Sequence, residues 1–481
     1  MNETMNRLRI IVFALGLAAW NGASVDAQSR SVENNQDAKP NIVFIMADDL
    51  GPGWVDFDGT EAAIHTPNLE RLANRGMVFS RAYAAAPVCS PTRASCLTGM
   101  SPAKVGYTTH APGMGQDKYL KQIGGRGTGG AIDAESRVFI PGEAPSYARE
   151  LKQLGYSTAF FGKWHLAGEG SKNAADGIIN SEWHPEHYGF DSNLGGCAYG
   201  QPRSWFDPFR NGTIPNRKRG EYLTDRLGDE AAAYIEANSA SPFHVTLWLY
   251  SVHTPIKAPA DLVKKNGGSA YHAMLQSMDM AVGKVLDALD QTGTAENTLV
   301  VFYSDNGGDR PTVGLAEKKG SLLEGGLRVP MAVCWPGVIE PGSRCDVPVT
   351  SPDFFPTFVN AAGGDASTIE GLEGKDLTPL YTGAESLDRD SLYWHFPHHR
   401  KGIQYAMGSS ILEGDWKFYR GYGKTADALF NVRTDPQEQT SVIQNNPELA
   451  ERLRIKLSRW LTDVKARMPR TDDDFETEKD D

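Results

Sequence analysis

Cysteine is scarce in this chain: five residues in 481, at positions 89, 96, 197, 334 and 345, too few for a disulfide-built scaffold. Positive charge shows no surplus. Forty-eight lysines and arginines face 60 aspartates and glutamates, a formal net charge of −12, which excludes nucleic acid or an anionic membrane surface as a natural partner. Half of that excess sits in the last eleven residues, where seven acids accompany one lysine. The run 471–481 reads as a solvated, disordered acidic tail. Long apolar runs are missing too, so no spanning helix is expected. The stretch Ile10 to Ala19, with Arg7 and Arg9 before it and Val25-Asp26-Ala27 after it, reads as a cleavable export signal over 1–27. No cysteine follows the expected cut, so a membrane anchor is not expected, and the mature chain is expected to be periplasmic or extracellular. Export permits disulfides, and Cys334 and Cys345, which flank a Pro/Gly-rich turn, form a candidate pair. Cys89 and Cys96 on one helix would lie about 10 Å apart, beyond disulfide reach.

What is present is a large apolar complement, 40% of residues, organised in a repeating way. Four short, nearly continuous apolar runs each end in polar residues: Asn41 to Asp49, Ser157 to His165, Phe243 to His253 and Thr298 to Asn306. Non-alternating runs of this kind read as strands buried on both faces. Helical patterns such as Tyr222 to Ala237 and Tyr271 to Thr292 lie between them. The expected fold is therefore α/β, a large and mostly parallel sheet sandwiched by helices, over residues 28–385. From about 386 to 470 shorter aromatic segments and one amphipathic helix, about Pro447 to Ala466, predict a C-terminal subdomain with an antiparallel sheet. Open α/β sheets bind ligands beyond the carboxyl ends of their strands. Asp48, Asp49, Lys163, His165, His253, Asp305 and Asn306 would all arrive there.

The segment Pro87-Val-Cys89-Ser-Pro-Thr-Arg93 places a cysteine at the start of a helix, where the dipole lowers a thiol pKa and attracts anions. Cys96, in an apolar context, reads as a core residue. Here the sequence resembles the type I sulfatases of the alkaline-phosphatase superfamily. The resemblance rests on Cys89-Ser-Pro-Thr-Arg93, Asp48-Asp49-Leu-Gly, Gly162-Lys163-Trp-His165, His253-Thr-Pro, Ser304-Asp305-Asn306-Gly and the block from Lys319 to Pro330, in family order. It implies that Cys89 is oxidised to Cα-formylglycine by a maturation enzyme, a second expected partner. It implies one Ca²⁺ held by Asp48, Asp49, Asp305, Asn306 and an oxygen on residue 89, a hard all-oxygen set in which no histidine, and hence no zinc, is expected.

The resemblance also assigns roles. A hydroxyl of the hydrated aldehyde attacks sulfur, His253 protonates the leaving oxygen, and His165 serves as base when the second hydroxyl expels sulfate. Arg93 would hold the hydrate, and Lys163 and Lys319 would bind sulfate oxygens. Glu324 and Arg328 read as packing residues. A sulfate-facing histidine that several relatives carry after Gly189-Phe190 has no counterpart here; His184 or His187 upstream are the alternatives. A sulfated carbohydrate is the expected substrate, with the aromatic and basic loops Trp205 to Arg210 and Trp394 to Arg400 as candidate walls of its groove. A phosphonate or phosphate ester hydrolase on the same fold, and a secreted carbohydrate-binding protein with an inactive site, are the rival readings.

Overall fold

The run Asn41-Ile-Val-Phe-Ile-Met-Ala47 forms a strand with every residue buried, because its alternate side chains enter two separate cores. The computed structural model describes residues 39–58, 64–110, 131–137, 139–168, 177, 181–312 and 314–471. The export signal expected over 1–27 lies outside them, as does the acidic tail apart from Thr471.

The described strands are β1 Asn41–Ala47, β2 Met77–Phe79, β3 Ala82–Tyr83, β4 Ala131–Ile132, β5 Ser157–Gly162, β6 Ser192–Leu194, β7 Phe243–Trp248, β8 Thr298–Ser304, β9 Met331–Cys334, β10 Ser343–Cys345, β11 Val349–Thr350, β12 Ser391–Phe396, β13 Gly408–Glu413, β14 Trp416–Gly421, β15 Ala428–Asn431 and β16 Arg470–Thr471. Eight of them form one sheet in the order β10-β2-β9-β8-β1-β7-β5-β6. Only β9 runs antiparallel to its neighbours, so the sheet is mostly parallel. Strand β1 sits centrally, with Phe44 level with Thr246 of β7 and Val301 of β8.

On one face Ile42, Phe44 and Met46 pack with the helices Cys89–Thr98, Tyr147–Gln153 and Phe354–Ala361. On the other, Val43 and Ile45 meet Leu227, Ile235, Met278 and Val282 of the helices Leu223–Asn238 and Ala270–Thr292. Helices on both faces explain why these strands read as unbroken apolar runs.

A separate four-stranded antiparallel sheet, β12-β13-β14-β15, follows near the C-terminus. One face carries Ile411, Phe418 and Leu429 against Leu453, Leu457 and Leu461 of the helix Pro447–Asp463. Its other face, with Trp394, Phe396 and Tyr419, packs on Val88 and on Leu322, Leu323 and Leu327. The small sheet thus backs the two loops that flank Cys89 and Lys319.

The candidate pair Cys334–Cys345 is not a disulfide; both are free thiols. Cys334 ends β9 and Cys345 ends β10, with β2 hydrogen-bonded between them. Two strand spacings alone separate them by roughly 9 to 10 Å, and Cys345 lies level with Met331 rather than with Cys334, so a bridge is out of reach.

Candidate active site

Backbone pairing continues past the strand ends and sets the polar residues in place. The Asp48 amide donates to Ser251 O at 2.8 Å and the Val252 amide to Asp48 O at 2.7 Å, so the segment leading to His253 is tied to the β1 terminus. The Asp305 amide donates to Ala47 O at 3.2 Å and the Lys163 amide to Trp248 O at 2.7 Å. Gly162, at φ +104°, makes the second turn possible: a Cβ there would lie 2.0 Å from Trp248 O.

Across this edge lies the helix Cys89–Thr98, every residue of it buried, with Cys89 in its first turn. The Cys89 Sγ is 3.5 Å from Asp48 Oδ1, 3.9 Å from Asp49 Oδ1 and 3.4 Å from Lys319 Nζ. Lys163 Nζ lies 2.6 Å from Asp48 Oδ2, and Lys319 Nζ lies 2.5 Å from Asp49 Oδ1. Arg93 directs Nε and Nη2 to Asp305 Oδ2 at 2.9 and 2.7 Å, gives Nη1 to Lys163 O at 2.8 Å, and lies over the Trp248 ring. Three buried carboxylates thus face three buried cations.

This enclosure overturns one expectation. Burial, reinforced by the Asp305 carboxylate, pushes the Cys89 thiol up to about 12, although Lys163 and Lys319 oppose it. The partial charge at a helix N-terminus is too small to reverse a full desolvation penalty. As a thiol, Cys89 is therefore a poor nucleophile. Burial would also raise Asp49, but the Lys319 and Lys163 ammonium groups outweigh it and hold its carboxyl below the usual range. Burial, then the Lys163 and Lys319 charges, draws the His253 imidazole down to about 3, against the pull of Asp49. His253 is accordingly neutral in the described site, with Nδ1 2.5 Å from Thr254 O and Nε2 3.7 Å from Asp49 Oδ2.

Not every expected ligand faces the same point. Asp48, Asp49, Cys89 and His253 bring ligating atoms within 4.8 Å of one another, so a histidine does fall within the candidate metal set, contrary to expectation. The Val252–Asp48 pairing carries it there. Asp305 instead accepts the Asp49 amide on Oδ1 at 3.1 Å and Arg93 on Oδ2, so Arg93 orients that carboxylate. Asn306 donates to Asp49 Oδ1 at 2.9 Å, while its own Oδ1 is buried without a hydrogen-bond partner. A buried amide oxygen on a residue bonded to the Asp49 carboxylate fits a hard cation, which would supply the missing partner. His165 is buried next to Lys163, at φ 60°, but lies outside the four-residue cluster.

The tryptophans of the two aromatic loops are not offered to a ligand. Trp205 and Trp394 are 2% and 1% exposed; Trp205 stacks on Tyr222 and Trp394 donates Nε1 to Ala84 O at 2.8 Å. Of the alternatives for the missing histidine, His184 is buried and His187 exposed. A further buried network escaped sequence reasoning. Lys417 Nζ lies 3.1 Å from Glu324 Oε1 and 3.3 Å from Glu438 Oε1, Tyr83 donates to Glu324 Oε2 at 3.0 Å, and the Glu324 amide donates to Glu438 at 2.6 Å. Glu324 begins the short helix Glu324–Leu327 that follows the Lys319 loop, so this network joins β14 to the site. Its partners are 93 and 114 positions apart from Glu324, which no local pattern signals.

The sulfatase family, under that description, matches residues 40–364, and the C-terminal part of N-sulphoglucosamine sulphohydrolase matches residues 314–467. A sulfatase of Formosa agariphila is 29% identical over 90% of this chain and 90% of its own. Mouse steryl-sulfatase is 30% identical over 79% of this chain and 70% of its own. The crystal structure of Ps i-CgsB in complex with k-i-k-neocarrahexaose superposes with a TM-score of 0.72 at 29% identity, covering 88% of this chain and 93% of that one.

Proposed function

This chain belongs to the sulfatase family and is a sulfuric ester hydrolase, and from that premise we propose that it is exported and removes sulfate esters from a carbohydrate by way of Cα-formylglycine 89 and one Ca²⁺. The observation that carries the reading is the position of Cys89, in the first turn of a buried helix, 3.5 Å from Asp48 and 3.4 Å from Lys319. Its Sγ occupies the place that an aldehyde-hydrate oxygen would take. Formylglycine, once hydrated, supplies both an attacking hydroxyl and a second one whose deprotonation releases sulfate, which the thiol described above cannot do. Asp48, Asp49 and Asn306, with Asp305 behind them, would hold the ion, whose chemistry is to polarise a sulfate oxygen and favour the ionised hydroxyl.

The remaining work falls to this chain's own side chains. Lys163 and Lys319, clamped on Asp48 and Asp49, are preorganised to meet sulfate oxygens without reorganising. Arg93 fixes Asp305 by two hydrogen bonds and so keeps that carboxylate aligned. His253 has its Nδ1 at the Thr254 carbonyl, which leaves Nε2 to exchange a proton with the ester oxygen. An anionic sulfate beside it opposes the two lysine charges and draws its pKa upward, toward the range a proton donor needs. His165 is the candidate base for release. The carbohydrate assignment draws on the neocarrahexaose bound by the similar Ps i-CgsB; the steryl-sulfatase similarity speaks for another substrate class. Export draws on the Arg7 to Ala27 segment, and no helix among the described residues is long and apolar enough to cross a membrane.

Co-expression with a formylglycine-generating enzyme should yield an aldehyde at position 89 by peptide mass spectrometry. The matured protein should then release sulfate from 4-nitrophenyl sulfate faster than phosphate from 4-nitrophenyl phosphate. Faster phosphate release would transfer the chain to the phosphoester-hydrolase reading.

A further inference from the structure

The loop between β12 and β13, residues 397–407, leaves the C-terminal sheet and lies against the chain that carries Lys319. It is held from two sides. The Leu322 amide donates to Tyr405 O at 2.8 Å and the Gln404 amide to Glu317 Oε1 at 2.9 Å. Opposite, His398 Nε2 is 2.8 Å from Thr108 Oγ1, and the His399 amide donates to Asp133 Oδ1 at 2.7 Å. A loop so pinned presents its side chains at fixed places.

Of the loop's Arg400 and Lys401, Lys401 is exposed and Arg400 packs against the chain that carries Lys319. The Arg400 stem packs on Gly320, the residue after Lys319: a Cβ on Gly320 would fall 2.1 Å from Arg400 Cδ and 2.5 Å from Nε. The Gly320 amide in turn donates to Pro87 O at 2.8 Å, two residues before Cys89. Arg400 therefore rests on the short stretch of backbone that joins Lys319 to the Cys89 helix. Other arginines that border the small sheet are neutralised: Arg389 lies 2.7 Å from Asp353, Arg81 3.1 Å from Asp415 and Arg433 2.7 Å from Asp415. Arg400 is half-buried, and among the described residues no carboxylate pairs with it.

We propose that Arg400 is a specificity-determining residue that receives a second sulfate group of the substrate, next to the sulfate ester being cleaved. The proposal rests on the sulfatase reading and narrows it to substrates carrying at least two sulfates close together. A guanidinium offers two parallel N–H donors to a sulfate, and a stem already packed on Gly320 gives up little rotamer freedom on binding.

The test uses the matured enzyme, its Arg400→Ala and Arg400→Lys variants, and panels of galactose monosulfates and disulfates. Turnover of 4-nitrophenyl sulfate by the wild type checks the sulfatase reading alone; its absence would remove that reading. Titration calorimetry then measures Kd for each sugar. The expected result is disulfate binding about tenfold tighter than monosulfate binding in the wild type, the size of one solvent-accessible charge-assisted contact. That ratio should approach one in Arg400→Ala and be partly kept in Arg400→Lys. No preference in the wild type, or a parallel loss for both sugars in the variants, would overturn the proposal.

Discussion

The edge of the eight-stranded sheet and the face of the four-stranded sheet both serve the site around Cys89, but they contribute to it differently. The large sheet delivers charge: Asp48, Asp49, Lys163 and Asp305 sit just past strand ends, with Asp48, Lys163 and Asp305 tied to neighbouring chain by backbone hydrogen bonds and the Asp49 amide bonded to the Asp305 carboxylate. The small sheet delivers support and shape, through apolar contacts behind Val88 and Leu322, through Lys417 beneath Glu324, and through the loop bearing Arg400. Reacting groups must be held rigidly against one another, which favours strand ends inside one sheet. Groups that choose among substrates can sit on loops, where length and composition change without disturbing the chemistry.

That division can be broken by experiment, beginning where the effect is largest. Cys89→Ala, in the charge-bearing half, should cost about 10⁴-fold or more in kcat/KM while leaving thermal unfolding near wild type, since it removes the nucleophile and one small buried group. Substantial residual turnover would show that the chemistry lies elsewhere. Lys417→Met, in the supporting half, should instead cost about 3–5 kcal/mol of unfolding free energy in urea, because two buried glutamates lose their shared cation. A loss below about 1 kcal/mol would mean that the network adds little to the join between sheets.

A more selective probe is Asn306→Ala, which deletes the unpartnered buried Oδ1 and one hydrogen bond to Asp49. Activity should fall by about 10²-fold and be partly restored by raising Ca²⁺, whereas the wild type should lose activity to a chelator and regain it with Ca²⁺. A variant insensitive to added Ca²⁺ would separate Asn306 from the ion.

The smallest effect compares one histidine from each sheet. Burial holds His244 of β7 at about 3 and His395 of β12 at about 4, both below the 6.5 of an unfolded chain. Each is neutral in the fold, so as pH drops below 6.5 the unfolded state takes up the proton first. Stability present above pH 6.5 should decline toward pH 4 by about 1.4 kcal/mol per unit for each imidazole. His395→Asn and His244→Gln should each flatten the acid limb of urea unfolding measured at pH 7 and pH 5. An unchanged slope in both would remove them from the acid response.

The two halves also differ in how readable they are. In the large sheet the apolar runs announced strands, and the polar residues after them announced an edge. The spacing of Cys89 and Arg93 likewise announced one helix. In the small sheet the aromatic residues were legible as strand formers, but Trp394 lies in the core rather than on a groove wall, because alternation alone does not say which face a partner will cover. Glu324 had the look of a packing residue and proved to be the hub of a buried charge network, since Lys417 and Glu438 reach it only through folding.

By itself the amino-acid order determined the parallel sheet, the helix that begins at Cys89 and the set of acids and lysines at the strand ends, because these follow from local periodicity and turn chemistry. Tertiary structure alone decided how those charges pair. It set Arg93 on Asp305, brought His253 over Asp49, left the Asn306 oxygen without a partner and laid Arg400 on Gly320. The reason is that pairing and desolvation act through distances between segments, and a single sequence states only the segments.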